Sequence, residues 1–316
     1  MSILDKPYFR TEEAAYAKLE AVLWPQGPEC PHCGVVDDAH KIEANLKAKV
    51  RHGLYRCNSC AKQFTVTVGT VFESSHIPLH KWMQAAFLLN SSKKGISAKQ
   101  IERTLQVTYK TAWFMMHRLR EAMAPAGKQS PMGGEGYVIE ADETYLGKRD
   151  GRKSKPDSFV TGFGWVSHPK IDTQRKIVAL VERHGSARSF VVDRVNKKTI
   201  RKVLLDNADK QSTLMTDEHT VYPATGAHFK QHYTVNHSAY EYARGMVSTN
   251  TVEGYFSIFK RGMKGIYQHC SEKHLHRYLA EFDFRYSNRG GIGVNDIART
   301  DRALRGARGK RLMYQS

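Results

Sequence analysis

The chain has 316 residues, 41% hydrophobic and 25% charged, with a formal net charge of +18. Its length exceeds one minimal domain and points to two or three. The composition excludes a disordered chain, and no run of about 18 apolar residues is present to cross a membrane as a helix. The excess of Lys and Arg favours a polyanionic partner, because neutralised phosphates release condensed counterions. No basic amphipathic helix with a clean apolar face stands out, so nucleic acid is preferred to anionic lipid. Met1 to Arg10 lacks the basic start and apolar stretch of a signal peptide, so a cytoplasmic protein, nucleoid-associated when bound, is expected.

Residues 1–72 hold four of the five cysteines as two pairs, Cys30-Pro31-His32-Cys33 and Cys57-Asn58-Ser59-Cys60, with 23 residues between them. Two short thiolate turns at this separation predict a tetrahedral Zn²⁺ site that staples a small domain. In a reducing compartment the pattern reads as metal ligation rather than disulfides. His32 and His52 are alternative ligands, but four cysteines already fill the shell. Gln63 to Val68 is β-prone and is expected to add a ribbon strand. Cys270 is left over.

Residues 73–125 read as helical. The stretch Gly95 to Leu105 reads as a short helix capped by Ser97, and Thr108 caps a second helix that runs to about Met123. Ala112, Met115, Met116, Leu119 and Met123 follow helical spacing and should face inward, leaving Tyr109, Lys110, Trp113, His117 and Arg120 on other faces. The pair resembles a helix-turn-helix, whose second helix enters the major groove by its N-terminal end. Tyr109 and Lys110 would then contact DNA; an ordinary helical hairpin is the alternative.

Residues 126–136, in a stretch rich in Pro and Gly, form a linker. From Tyr137 the pattern alternates strand and helix. Tyr137, Ile139 and Ala141 alternate with Glu140 and Asp142. Strands at Lys176 to Arg183 and Ser189 to Asp193, a helix at Lys197 to Asn207 and a short strand from Ser212 to Asp217 follow. Three strands, a helix and a fourth strand resemble the order of a ribonuclease H-like core, in which strands one and four are neighbours, so that Asp142 and Asp217 converge. A third acid, Glu253, stands seven residues before Lys260, about two helical turns, so both share a face. Val252, Phe256 and Phe259 lie on another face, suited to packing on the sheet. Three carboxylates in such a pattern suit phosphodiester chemistry: two divalent ions roughly 3.5–4 Å apart stabilise the attacking and leaving oxygens, and hard ions take carboxylate ligands. Glu140, Glu143 and Glu218 are rival acids, Glu140 the foremost because it shares the strand face of Asp142. Asp193 and Asp206 are weaker candidates.

On these residues the chain resembles the zinc-ribbon DDE transposases of bacterial insertion sequences. The resemblance runs from about Phe9 to Arg289. Its carriers are the four cysteines, Gln63-Phe64 to Gly69-Thr70, Lys81-Trp82, Ile96-Ser97 and Asp142-Glu143-Thr144-Tyr145. They continue through Thr216-Asp217-Glu218-His219, Val235-Asn236-His237-Ser238, Asn250-Thr251-Val252-Glu253-Gly254 and Phe282 to Arg289. The 35 residues between Asp217 and Glu253 are similar to the spacing of DDE enzymes, and Lys260 also matches. Some relatives carry Asn at the third acidic position; Glu253 favours activity.

The resemblance implies that Asp142, Asp217 and Glu253 bind two Mg²⁺ or Mn²⁺ ions, that Lys260 meets a DNA phosphate, and that His219 and His237 lie near the site without a firm role. It implies a multi-domain protein: zinc ribbon plus helix-turn-helix, then an α/β ribonuclease H-like catalytic domain over 137–289, a mixed sheet flanked by helices. Residues 290–316 are read as a basic tail, with Arg299, Arg302, Arg305, Arg308 and Arg311 as a DNA-contacting extension or a solvated end. The expected activity is cleavage of element ends and transfer of the 3′-hydroxyl to target DNA by a homo-oligomer. The alternatives are a nuclease without strand transfer and a non-catalytic DNA-binding regulator.

Overall fold

The computed structural model describes residues 2–45, 47, 50–148, 158–161, 164–167, 174–239, 241 and 243–312. In chain order the elements are α1 (Glu12–Leu23), β1 (Ala39–Lys41), β2 (Tyr55–Cys57), β3 (Gln63–Phe64), α2 (Leu79–Ser91), α3 (Ala98–Leu105) and α4 (Tyr109–Met123). There follow β4 (Val138–Lys148), β5 (Ser158–Thr161), β6 (Gly164–Ser167), β7 (Gln174–Glu182), β8 (Ala187–Val192), α5 (Lys197–Asn207), β9 (Thr213–Asp217) and α6 (Pro223–Gly226). The last are β10 (Gln231–Val235), β11 (Ala243–Arg244), β12 (Val247–Ser248), α7 (Asn250–Gly262), α8 (Leu275–Ser287) and α9 (Asp296–Arg305). The chain divides into two units, Met1–Lys128 with Asn288–Ser316, and Gln129–Ser287. No described helix is long and apolar enough to cross a membrane.

In the first unit, β1, β2 and β3 form a three-stranded antiparallel ribbon. Its small core is Cys30, Tyr55, Cys57 and Phe64, with Trp24 set edge-on against Tyr55 and Phe64. The third strand is shorter than Gln63 to Val68. After Phe64 the chain bends, with Val68 N donating to Thr65 O (3.1 Å) and Thr70 N to Thr67 O (3.2 Å).

Both caps read from the sequence are present. Ser97 Oγ accepts from Gln100 N (3.1 Å) and Thr108 Oγ1 from Thr111 N (3.2 Å), each satisfying an otherwise unpaired helix donor. Gln106, left-handed at φ 50°, makes the corner between α3 and α4. The five residues expected to face inward on α4 are buried, and so are His117 and Arg120, which the spacing assigned to other faces. The reason is that α4 is packed by α2 and α9 as well as by α3, so its apolar stripe is not its only covered surface. The middle helix α2 buries Trp82, Met83, Ala85, Ala86, Phe87 and Leu89.

The segment read as a basic tail is corrected by the structure: it carries α9, which packs on α1, α2 and α4. Asn295 caps it, accepting from Ala298 N (2.9 Å), and Ala303, Leu304 and Ala307 are buried. Arg299 is buried and donates to the carbonyls of Asn288 (2.6 Å), Asn90 (2.7 Å) and Val294 (3.2 Å). Gly306 lets the chain approach α4: a Cβ there would lie 2.2 Å from the Ala122 carbonyl oxygen. Residues 313–316 of that segment lie outside the described residues.

The second unit is built on a five-stranded mixed sheet ordered β10-β9-β4-β7-β8. β4, β7 and β8 run antiparallel, and β9 and β10 join β4 in parallel. The first and fourth long strands are thus neighbours, in the order that the ribonuclease H-like reading expects. The centre of strand β7, Ile177 to Val181, is wholly apolar because helices cover both faces of the sheet. Ile177, Ala179 and Val181 pack with Val252, Phe256 and Phe259 of α7 and Leu279 and Phe282 of α8. Val178 and Leu180 point the other way, toward Ile200, Val203 and Leu204 of α5. Burying α7 in this way decides where its first turn, and so Glu253, stands.

Candidate active site

Strand register sets the first two acids. Glu140 of β4 lies opposite Met215 of β9, so two residues further along both strands Asp142 and Asp217 come level. Neighbouring strands are about 4.8 Å apart, close enough for both carboxylates to serve one site. Asp142 is half-buried; burial above all, with the charges of Glu143, Asp217 and Glu253 adding, pushes its carboxyl up to about 7 against the pull of the Glu143 N–H. Burial also raises Asp217, while the His219 N–H, donating to Asp217 Oδ1 (3.1 Å), pulls the other way.

Glu253 sits in the first turn of α7. Thr249 Oγ1 donates to its Oε1 (2.7 Å), and His237 Nε2 lies 3.4 Å from the same oxygen. Lys260 follows on the same helix, two turns on. The structure therefore gathers Asp142, Asp217 and Glu253 at one end of the sheet, where Asp217 and Glu253 both act electrostatically on Asp142.

The rival acids have separate partners. Glu143 is raised by burial and accepts a short hydrogen bond from Tyr222 Oη; His219 Nε2 is 4.0 Å from its other oxygen. Tyr222 is fully buried, and that burial lifts its hydroxyl well above the usual range. Glu218 accepts from His237 N (2.9 Å), Ser238 N (3.1 Å) and Ser238 Oγ (2.7 Å). The Ser238 hydroxyl, then these backbone donors, hold its carboxyl down to about 2. By pinning the His237 peptide, Glu218 sets the imidazole against Glu253. Asp206 is paired with Lys202 (2.7 Å) on α5. Glu140 is fully buried under the start of α7 rather than in the open site. Tyr222, Thr249 and Arg183 carried no signal in the sequence. Thr249 stands at the N-cap position of α7, yet its side chain makes no cap bond and donates to Glu253 instead.

In the first unit the four ribbon cysteines place their sulfurs within 4.8 Å of one another. Cys30 and Cys60 are 3.7 Å apart, and Cys33 and Cys57 3.6 Å. A tetrahedron with Zn–S bonds of about 2.3 Å has edges of about 3.8 Å, so these thiols fit a structural Zn²⁺. Among the described residues this is the one such close cluster of possible ligands. The leftover Cys270 packs against the α7–α8 core. Tyr109 is exposed at the start of α4, with Lys99 Nζ 5.7 Å from its ring centre, and Lys110 is exposed beside it. An open groove nearby is lined by Lys81, Lys99, Arg103 and Glu102, the last paired with Lys99 (2.6 Å), among polar and apolar neighbours.

Two family models match the chain. Residues 133–287 match the ISXO2-like transposase domain, and residues 10–63 match the transposase zinc-ribbon domain. The chain belongs to the zinc-ribbon DDE transposases. A curated relative is 26% identical over 292 residues, covering 88% of this chain and 91% of its own. It is a protein of transposable element ISH50 from Halobacterium salinarum, an archaeon, which extends the resemblance beyond bacterial elements. Among solved structures, a chain of the simian T-cell lymphotropic virus intasome is 15% identical, with a TM-score of 0.30, 56% of this chain covered and 63% of that one. A chain of the pre-cleavage Mos1 transpososome is 12% identical, with a TM-score of 0.28, 70% covered and 73% of that one.

Proposed function

We propose that this transposase binds the inverted repeats of its element, cleaves the DNA ends and joins each freed 3′-hydroxyl to target DNA, with Asp142, Asp217 and Glu253 as the metal-binding acids. The observation that carries this reading is the level register of Asp142 and Asp217 on adjacent parallel strands, with Glu253 brought beside them by α7. Burial above all, and after it the charges of Glu143, Asp217 and Glu253, raise the Asp142 carboxyl. Hard oxygen donors in that arrangement suit Mg²⁺ or Mn²⁺. When bound, such ions supply charge stabilisation to the attacking and leaving oxygens.

The remaining work belongs to the chain. Thr249 and His237 hold the Glu253 carboxylate in place, and Tyr222 fixes Glu143 behind Asp142 and Asp217. Lys260 neutralises a DNA phosphate. In cleavage, a water oxygen bonds to phosphorus and the bond to the 3′ oxygen breaks. In joining, that 3′ oxygen bonds to a target phosphorus as the target's own 3′ oxygen leaves. One phosphodiester is exchanged for another, so joining needs no energy source, and no covalent bond to the protein is invoked. The first unit reads the DNA ends: α3 and α4 act as a helix-turn-helix with Tyr109 and Lys110 leading, and the Zn²⁺-held ribbon supports them. Two ends must be joined together, so a homodimer on DNA is the minimum assembly.

The test is a cleavage and joining assay with purified protein, DNA ends from the flanks of its own gene and Mg²⁺, beside Glu253→Gln. Joined products with wild type and none with the variant support the reading. Cleavage without joining identifies a nuclease. DNA binding with neither reaction identifies a regulator.

A further inference from the structure

Glu140, one alternation before Asp142 on β4, has no exposed surface. It accepts four hydrogen bonds. Oε2 takes Thr251 N (2.7 Å) and Val252 N (3.0 Å); Oε1 takes Thr251 Oγ1 (2.8 Å) and Arg183 Nε (2.6 Å). The first N–H groups of a helix have no partner within it, and their dipoles favour an anion. The residue that should cap α7, Thr249, makes no cap bond because its hydroxyl donates to Glu253. Glu140 takes over that duty from a different strand.

Arg183 extends the arrangement. Its Nη1 donates to Met246 O (2.8 Å), and its Nη2 to Ser248 O (3.0 Å) and Ser248 Oγ (2.8 Å). One carboxylate and one guanidinium therefore tie together β4, the turn after β7, the β11–β12 hairpin and the start of α7. Glu253 is the residue next to Val252. Any slide or rotation of α7 moves it directly relative to Asp142. A carboxylate offers about four acceptor sites, and all of those on Glu140 are taken.

We infer that Glu140 and Arg183 form a buried positioning pair that sets the α7 start, and hence Glu253, against Asp142 and Asp217, and that Glu140 is not itself a metal ligand. This rests on the reading of Glu253 as a ligand. Loss of such support costs roughly 10–100-fold in metal affinity where it has been tested in metal sites.

The experiment uses the full-length, zinc-loaded protein with two readouts. One is Mn²⁺ titration followed by electron paramagnetic resonance. The other is hydrogen exchange at the Thr251 and Val252 amides. Glu140→Gln and Arg183→Lys are expected to weaken Mn²⁺ binding roughly 10–100-fold with the number of ions at saturation unchanged, and to speed exchange at those two amides. Glu253→Gln is expected to weaken Mn²⁺ binding with exchange there unchanged. Fewer ions bound by Glu140→Gln would make Glu140 a ligand and overturn the inference; so would unchanged affinity and unchanged exchange. Should wild type bind no Mn²⁺ at these acids, the reading of Glu253 fails instead, and exchange alone decides the pair: unaltered rates overturn it. If Glu140→Gln does not fold, Thr251→Val removes one 2.8 Å bond and is expected to shift both readouts the same way by less.

Discussion

Replacing Asp142 by Asn should abolish catalysis and at the same time stabilise the catalytic unit. Burial and neighbouring acids push the Asp142 carboxyl from its ordinary 3.8 to about 7. At 1.36 kcal/mol per pH unit, keeping it ionised above pH 7 costs the fold about 4 kcal/mol. Solvent reaching the half-buried group reduces this to about 2–4 kcal/mol. The sign follows from linkage. The folded state holds this proton more tightly than the unfolded chain, so stability from this group falls as pH rises from about 4 to about 7. Asn carries no charge and can still accept the Glu143 N–H that Asp142 Oδ1 accepts at 2.7 Å. In Mg²⁺-free buffer, with zinc retained, the second unit of Asp142→Asn should melt roughly 5–15 °C above wild type at pH 8. The gap should close toward pH 4, and added Mg²⁺ should narrow it by stabilising wild type alone. Scanning calorimetry at the two pH values measures both. An equal or lower midpoint for the variant at pH 8, or a gap independent of pH, would refute the reasoning.

Cys57→Ser should lower zinc content below one ion per chain by metal analysis and unfold the ribbon, whose core of four buried side chains is too small to stand alone. Arg299→Met strips three backbone carbonyls of their donor and should cost about 3 kcal/mol or more in chemical denaturation of the first unit. Phe259→Ala opens a cavity between α7, α8 and the sheet and should cost about 3–5 kcal/mol in the second unit. Lys110→Ala should weaken DNA binding across sequences and reduce the salt slope by about one, measured by fluorescence anisotropy from low to high salt.

Much of this was legible in the sequence because it depends on local chemistry. Cysteine spacing, the Ser97 and Thr108 caps, the alternation in β4 and the apolar run of β7 act within a few residues. The convergence of Asp142 and Asp217 needed only the order of elements. What stayed hidden depends on contacts between distant segments. Arginines spaced by three along α9 give a charged face that resembles a solvated tail, and nothing local shows that Arg299 meets the carbonyl of Asn90. His117 and Arg120 looked peripheral because spacing reveals one covered face of a helix, not two. The burial of Glu140 was hidden because a strand pattern gives its face but not the helix lying on it.

The path of the chain through the two units has a consequence for synthesis. Helix α9 completes a unit whose other helices come from the first 128 residues, with the whole catalytic unit between them. On the ribosome the catalytic sheet can form as soon as its strands emerge, whereas the first unit must wait for the last helix. A chain cut short after residue 287 would then hold Asp142 and Asp217 on a finished sheet and Glu253 on α7, yet lack the helix that packs on α1, α2 and α4. Premature termination would leave the second unit whole and the first without α9, so folding of the first unit depends on completed translation.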